Sequence, residues 1–464
     1  MFKIAAFATL GIFASVATAA PRWDFVAQLD PFAERLVLRG CTPRGVGDLR
    51  LRAGDGAAAH LAQMRRADGI DMEAVGDLVH ARNWQGGECF RAEIDFKSAG
   101  SADRWGIGRA RDRYYRVPPR LWFWRPWTID PESTIRFELP EGWSASVPWT
   151  PIAHGTYRVG ATPQDWPAQT AFGRFSELSL DLPGGRMRVS LLPLVDANTQ
   201  DAIGEWFRSN TRLMLSNNGK LPLPDTQVLI VPLPGSESPV PWGQVSRGGA
   251  AAVTLFVGAA AGRERWQADW TLAHELAHLQ HPYLGDRGRW LAEGLGSYYQ
   301  NVWRARHGDF SASEGWRRLD AGFARGRADG SGPLLELAGG RGSTMRVYWS
   351  GAAYWLESDL ALRSHGSSLD AVLTEFRNSH LPSERAWDPA EFIAELDRTV
   401  PAAGLSARYR EYALLREFPD LGRAYRALGL NPESVPDGTL PAHPLRDAIM
   451  APPAPLAPLS PNMP

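Results

Sequence analysis

The chain is poor in lysine, in cysteine and in long apolar runs. Lysine occurs only at Lys3, Lys97 and Lys220, and the formal net charge of the 464 residues is −1. Without a basic surplus, nothing in the composition points to nucleic acid or an anionic membrane surface as a partner, so we expect no nucleic-acid partner. A chain of this length is too long for one ordinary domain and predicts two or three.

One segment is apolar enough to concern a membrane, and it lies at the N-terminus. Lys3 precedes an uncharged apolar stretch, Ile4–Val16, and Ala17-Thr18-Ala19 follows as a small-x-small site. This order is typical of a secretory signal peptide. It predicts cleavage after Ala19, a secreted or periplasmic protein, and no stable membrane span in the mature chain. The stretch is short for a membrane helix, so an uncleaved anchor is the alternative.

Cys41 and Cys89 are the only cysteines. In an exported protein a single pair can form a disulfide, and this one would staple the N-terminal part of the chain. Two buried thiols would fit the sequence equally well.

Periodicity divides the chain into a β-rich part, a mixed part and a helical part. Residues 20–195 alternate short β-branched and aromatic runs with turn residues, which predicts an antiparallel β-sandwich-like domain. Residues 196–310 mix strands with helices, and residues 311–445 are mainly helical. Residues 446–464 form a Pro-rich tail that we expect to be disordered. The predicted fold class is therefore multidomain α+β.

Some local predictions are specific enough to be tested one by one. The pattern predicts a short helix at His60–Met64, an edge strand at Ala251–Val257 and a single long helix at Arg263–Gln280. Between the helix that ends at Arg304 and the next one, from Met345, it predicts a Gly-rich loop. The aromatic run Trp122–Trp127 is interpreted as core, because aromatic side chains mostly bury.

The main chemical signal is His274-Glu275-Leu-Ala-His278 within the helical pattern. Residues four apart share one helix face, so both imidazoles can bind one metal ion. Glu275 projects beside that pair, where it can act as a general base on a metal-activated water. Three leucines on the opposite face, Leu272, Leu276 and Leu279, are expected to bury in the core.

A zinc ion held by two histidines needs a third protein ligand, and Glu293 is the candidate. Its helix carries Gly294 and Gly296, which are costly there and suggest a close approach to the His274 helix. His281 competes for the role, but one straight helix cannot place three histidines around a tetrahedral ion, and Pro282 ends that helix. We interpret His281 as a residue that lines the cleft.

These residues resemble the gluzincin metallopeptidases, and among them the aminopeptidase-N-like and glycyl-aminopeptidase-like families. The resemblance rests on three blocks: the histidine motif, Trp-Leu-Ala-Glu293-Gly-Leu-Gly-Ser-Tyr-Tyr, and Val347-Tyr348-Trp-Ser-Gly-Ala. It implies a thermolysin-like mixed α/β catalytic domain with one Zn²⁺ per chain. It also implies that Tyr348 stabilises the oxyanion of the tetrahedral intermediate. A packed aromatic residue is the alternative for Tyr348, and an ordinary helix serine is the preferred interpretation of Ser297.

The chain departs from those families in two places. Only 14 residues separate His278 from Glu293, which requires a tight loop. The stretch Arg247–Val253, interpreted as the start of the edge strand, lacks the acidic residue with which such aminopeptidases hold a substrate's free amine. The resemblance implies a zinc metallopeptidase with a peptide or protein substrate, and the signal-like N-terminus predicts its export. A catalytically inactive peptide-binding protein and another zinc hydrolase on the same scaffold are the alternatives.

Overall fold

The computed structural model describes residues 20–452, apart from residues 104, 105, 161, 164, 165, 218, 249, 341, 432–434, 436 and 437. The predicted signal peptide, residues 1–19, lies outside the described residues, as do residues 453–464 of the predicted tail. Buried apolar side chains form two large cores: one within the N-terminal β-rich part, and one shared by the mixed sheet and the helices.

The N-terminal part is built almost entirely from antiparallel strands, as predicted. In chain order they are β1 (Asp24–Asp30), β2 (Arg35–Cys41), β3 (Gly47–Arg52), β4 (Leu61–Arg66), β5 (Ala74–Val75), β6 (Leu78–Trp84), β7 (Cys89–Asp95), β8 (Arg109–Ala110), β9 (Tyr114–Val117), β10 (Arg125–Pro126), β11 (Thr134–Glu138), β12 (Ser144–Ser146), β13 (Thr150–Ala153), β14 (Thr156–Arg158) and β15 (Thr170–Gly173), with helix α1 (Phe96–Ser101) after β7. They form one seven-stranded and two four-stranded sheets, and only β1 and β11 pair in parallel.

Two details of this part bear on the sequence predictions. The prediction of a short helix at His60–Met64 is wrong. A 3₁₀ turn ends at His60, and the chain continues as β4, which pairs with β7. The aromatic run is core, as predicted, since Trp122, Phe123 and Trp124 are buried, although Trp127 at its end is exposed.

A disulfide joins Cys41 to Cys89. The two residues face each other at the ends of the paired strands β2 and β7. The sequence left a disulfide and two buried thiols as alternatives. The structure has the disulfide, which cross-links the first domain.

The fourth sheet is mixed and belongs to the middle part of the chain. Its strands are β16 (Ser176–Leu182), β17 (Gly185–Leu191), β18 (Asp225–Leu233), β19 (Trp242–Ser246) and β20 (Ala251–Gly258), in the order β16-β17-β18-β20-β19. The hairpin β16–β17 belongs to this sheet, so the domain boundary predicted at residue 195 lies too late. The predicted edge strand is also wrong: β20 is fully buried between two neighbours, and β19 is the edge.

The helices of the described residues follow the β-rich part. They are α2 (Ala197–Asn210), α3 (Arg263–Ala268), α4 (Thr271–Ala277), α5 (Arg289–His307), α6 (Ala312–Ala328), α7 (Leu334–Ala338), α8 (Thr344–Ser364), α9 (Leu369–His380), α10 (Pro389–Thr399), α11 (Leu405–Leu414), α12 (Gly422–Ala427) and α13 (Pro444–Met450). The observed architecture is the predicted one: a β domain, a mixed α/β domain and a helical region. None of the described helices is long and apolar enough to span a bilayer.

Three helical predictions need correction. The long helix at Arg263–Gln280 is broken, because the chain turns to extended backbone at Asp269, whose carboxylate accepts a hydrogen bond from the Thr271 N–H (2.7 Å) and starts α4. The predicted Gly-rich loop contains α6. The tail predicted from residue 446 starts too early, because α13 runs to Met450 and buries Arg446 and Ile449.

Candidate functional site

Helix α4 presents its polar face to a cleft and its apolar face to the core. His274, Glu275 and His278 are all buried, and the three leucines of the opposite face are less than 3% exposed, as predicted. The last histidine lies in a 3₁₀ turn that continues α4, so the four-residue spacing still points both imidazoles the same way.

Glu293, on α5, completes a three-ligand group with His274 and His278. One ligand atom from each residue lies within 4.8 Å of the other two. Oε2 of Glu293 is 3.1 Å from Nε2 of His274 and 3.6 Å from Nε2 of His278. Ligand atoms bound tetrahedrally to zinc are about 3.4 Å apart, so these atoms fit a zinc ion in both type and spacing.

The other nitrogen of each imidazole is held by a neighbour. Nδ1 of His274 lies 2.9 Å from Oε1 of Gln300, and Nδ1 of His278 lies 3.2 Å from Nε2 of His281. In turn, Nδ1 of His281 donates to the Pro282 carbonyl at 2.7 Å, so its Nε2 is left as an acceptor. With Nδ1–H donated in this way, both ligand histidines keep the Nε2 lone pair for a metal.

His281 is therefore a supporting residue and not a cleft-lining one, because it is only 1% exposed. Nη1 of Arg247 lies 3.1 Å from the same Nε2 of His281 and 2.8 Å from the carbonyl oxygen of His278. Arg247 follows β19 directly, and its own carbonyl accepts a hydrogen bond from Trp166 of the N-terminal domain at 3.1 Å. Sequence reasoning missed Arg247, because no local motif marks it.

The pKa directions of His278 and Glu293 suit metal binding, whereas burial would lower the pKa of His274 but the Glu293 carboxylate outweighs it and raises that pKa, so a metal ion has to displace a proton there. Burial lowers the pKa of His278 to about 4, so this imidazole is neutral at neutral pH. Burial by itself would raise the pKa of Glu293, but the adjoining imidazoles of His274 and His278 outweigh it and hold that pKa well below its usual range. A neutral imidazole and an ionised carboxylate are the forms in which these residues bind metal.

Glu275 lies at the edge strand. A Cβ added to Gly243 of β19 would come within 2.5 Å of Cγ of Glu275, so only glycine lets the strand pass this close. Burial raises the pKa of Glu275 to about 7. A carboxyl group with a pKa near the working pH is suited to accept and return a proton.

Tyr348, on α8, closes the opposite side of the group. Its ring stacks on the His274 ring with centroids 5.8 Å apart, and the Arg289 guanidinium lies 5.8 Å from its centre. Burial and the Glu293 carboxylate raise the pKa of Tyr348 above its usual range, so the phenol remains a hydrogen-bond donor. The oxyanion role that the family resemblance implies for Tyr348 stays a prediction.

Two glycines of α5 have different neighbours. A Cβ at Gly296 would meet the His274 ring at 2.7 Å, so the predicted approach to the metal helix holds there. A Cβ at Gly294 would instead meet the backbone of Gly351 on α8 at 2.3 Å. Ser297, on the same helix, makes no described hydrogen bond to a metal ligand and is buried against a neighbouring pocket.

The true edge strand, like the stretch first assigned to it, carries no acidic residue. The strand β19 reads Trp-Gly-Gln244-Val-Ser, and the cleft beside it is lined by Trp127, Trp166, Tyr283 and Arg247 but by no described carboxylate. Among the described residues of this wall, the half-buried guanidinium of Arg247 is the only charged group.

Several solved structures share this fold. An aminopeptidase N family protein from Idiomarina loihiensis has a TM-score of 0.65 at 12% identity, over 88% of this chain and 78% of that one. An M1 zinc metallopeptidase mutant from Deinococcus radiodurans, bound to a Tyr-Ser-Ala substrate, has a TM-score of 0.53 at 16% identity, over 86% and 95%. Native yeast LTA4 hydrolase has a TM-score of 0.51 at 15% identity, over 86% and 68%.

At these identities the likeness is one of fold. It confirms the predicted fold class, with a β domain, a mixed α/β domain and a helical region. No protein-family model matches the chain, and no curated protein sequence matches it significantly.

Proposed function

We propose that the chain is a zinc metallopeptidase that hydrolyses peptide bonds. The observation that carries the proposal is the converging group His274, His278 and Glu293 with Glu275 beside it, on a fold shared with M1 zinc metallopeptidases. Zinc, when bound, activates a water molecule and polarises the scissile carbonyl.

The protein's own residues then have separate tasks. Glu275 accepts the proton of the attacking water and returns it to the leaving amine. The phenol of Tyr348 donates a hydrogen bond to the developing oxyanion, a contact that preorganised donors supply without reorganisation. The free side of β19 offers main-chain groups to an extended peptide.

The edge strand bears on which peptides are cut. Among the described residues, Glu275 is the only carboxylate found beside β19, and it serves as the general base, so a substrate's free ammonium would lie near the Arg247 guanidinium with no carboxylate dedicated to it. We propose that recognition of a free N-terminus is weak, so that peptides with blocked N-termini are also cleaved.

The two alternatives are less well supported. An inactive peptide-binding protein would not need the general base, yet Glu275 is present and its pKa is raised to about 7. Another zinc hydrolase on this scaffold would use the same metal group, and only substrate tests separate it from a peptidase.

We also propose that the protein is exported. The support is the signal-like N-terminus together with the Cys41–Cys89 disulfide, since such bonds persist in oxidising compartments. Mass spectrometry of protein recovered from the periplasm or medium is expected to begin at Ala20. Recovery of the uncleaved chain in the membrane fraction would favour the anchor.

The proposed activity is tested by metal analysis and by exposing the purified protein to a mixed peptide library. We expect about one zinc per chain, cleavage detected by mass spectrometry, loss of cleavage with a chelator and recovery with added zinc. The cleavage rates of peptides with acetylated and with free N-termini are then compared. Their ratio measures how strongly the enzyme prefers a free N-terminus. A zinc-loaded protein that cuts no peptide would favour the alternatives.

A further inference from the structure

A pocket of about 430 Å³ lies next to His274, whose ring contacts two of the lining residues. Three helices, α5, α6 and α8, line it together with Trp270, which precedes α4. Its lining residues are Trp270, Ser297, Gln300, Asn301, Arg318, Ala321, Arg325, Met345, Tyr348 and Trp349. No carboxylate is among them, so the pocket has a positive wall, and its other walls are neutral and mostly apolar.

Helix α6 supplies the positive wall. Arg318, Ala321 and Arg325 fall on one face, at spacings of three and four residues. Arg318 pairs with Glu314 at 2.7 Å, on its own helix. Arg325 is exposed and stacks 5.0 Å from the centre of the Trp349 ring, and no carboxylate of the described residues pairs with it.

The floor of the pocket holds two buried donors without described partners. Ser297 is 1% and Gln300 is 7% exposed. The Gln300 carbonyl oxygen is used by His274, which leaves its amide nitrogen available, and the Ser297 hydroxyl makes no hydrogen bond within the described part of the chain. Both donors lack a partner in the described part of the chain and open into the pocket, so they are available to an acceptor that enters it.

The pocket is within reach of a substrate at the metal. Two of its walls, Trp270 and Tyr348, contact the His274 ring at centroid distances of 5.3 and 5.8 Å. An extended peptide advances about 3.3 Å per residue. A group that enters the pocket is therefore carried by a residue one or two positions from the scissile bond.

From this arrangement we infer that the pocket binds a carboxylate of the substrate, with Arg325 as the main cationic contact and Ser297 and Gln300 as further donors. The inference rests on the proposed peptidase function and adds a substrate class to it: peptides with an acidic side chain, or with the C-terminal carboxylate, close to the cleaved bond.

Two matched peptide pairs distinguish the sources of the carboxylate. In one pair Glu replaces Gln at a single position near the cut, and in the other a free C-terminus replaces an amide. Binding is measured with zinc-loaded Glu275→Gln protein, which separates affinity from chemistry. Hydrolysis by the wild type is measured in parallel.

We expect the carboxylate form of one pair to bind about tenfold more tightly, as a partly screened charge-assisted contact allows. The ratio of the two dissociation constants within that pair is expected to fall below about twofold in Arg325→Gln. In the wild type it is expected to decrease at higher ionic strength. Arg327→Gln is the matched control, because Arg327 is two residues further along the helix and stacks on Phe418. It is expected to keep the ratio.

Equal binding within both pairs, or a ratio that Arg325→Gln leaves unchanged, would overturn the inference. Arg318→Gln supplies a second variant, with a smaller expected effect because its charge is already paired. Failure of the peptidase proposal looks different: no peptide of either pair is hydrolysed by zinc-loaded wild type, whatever the binding ratio.

Discussion

At the residue scale, the ligand histidines are oriented by groups that the sequence pattern did not identify. The spacing of His274 and His278 and the position of Glu293 could be read from the sequence, because a helix fixes which residues share a face. Gln300 and Arg247 could not, because they reach the imidazoles from other elements. His281 could be noticed but was assigned to the cleft, because no sequence pattern reports burial.

His281→Leu is expected to weaken zinc binding about 10- to 100-fold. The leucine removes the acceptor for Nδ1–H of His278, so the ligand imidazole loses its fixed orientation. Competition with a chromophoric chelator measures the affinity. His154→Leu, at an exposed position, is the control. Wild-type affinity in folded His281→Leu would mean that the contact does not support the ligand.

At the element scale, the largest error of the sequence prediction is the missing helix α6. Its glycines lower helix propensity and suggested a loop. In the structure, a Cβ at Gly322 would lie 2.1 Å from the Trp349 ring, and one at Gly326 would lie 2.7 Å from Cβ of the same residue. These glycines therefore let α6 approach α8, and such a tertiary reason is invisible to propensity.

Gly351→Ala is expected to destabilise the protein by about 1–3 kcal/mol or more, because its Cβ would lie 1.9 Å from the Trp290 carbonyl oxygen where α8 meets α5. Gly204→Ala, on α2 with no atom within 4 Å of its Cβ, is the matched control. It is expected to stabilise by about 0.5–1 kcal/mol. Urea unfolding measures both, and equal effects would contradict the close packing.

Asp309→Asn tests the end of α5. Arg304 and Asp309 form a buried ion pair at 3.1 Å, and Arg304 also donates to the Gln267 and Ala268 carbonyls that precede α4. Removing one partner leaves a buried charge unpaired, so we expect a loss of about 3 kcal/mol. Arg398→Gln, in an exposed pair, is expected to cost less than about 1 kcal/mol.

The effect of Asp309 also has a defined pH dependence. Burial would raise the pKa of this carboxyl, but hydrogen bonds from His307 and Arg304 outweigh it and lower the pKa. The contribution of the Asp309 carboxylate to the free energy of unfolding is therefore complete above its unfolded pKa of about 3.9. It is lost as pH falls through the lower pKa of the folded state. Unfolding curves of wild type and variant are expected to converge only below about pH 4. A constant difference down to pH 2 would contradict this.

At the scale of the whole molecule, the chain has one core for the β domain and another for the metal-binding part. The sequence predicted this division, since the change from period two to helical spacing is visible without a structure. It placed the boundary too late, because hairpin β16–β17 looks the same whichever sheet it joins. Sheet membership depends on pairing with distant β18, which local patterns do not contain.

The double substitution of Cys41 and Cys89 by serine is expected to destabilise the first domain alone. The disulfide closes a loop of 48 residues, for which chain entropy predicts about 4 kcal/mol. Hydrogen exchange is expected to accelerate in strands β2 and β7 and to remain unchanged in β18 and β20. Zinc content is the control. Equal acceleration in both domains would show that the cores unfold together.

The central claim is tested most directly by measuring zinc content and peptide hydrolysis side by side in wild type, Glu275→Gln and Glu293→Ala. The account predicts a zinc-loaded, active wild type. Glu275→Gln is expected to keep the metal and to lose about 10²- to 10⁴-fold in kcat, and Glu293→Ala to lose both metal and activity. A wild type that binds no zinc, or a Glu275→Gln variant that hydrolyses peptides at the wild-type rate, would contradict it.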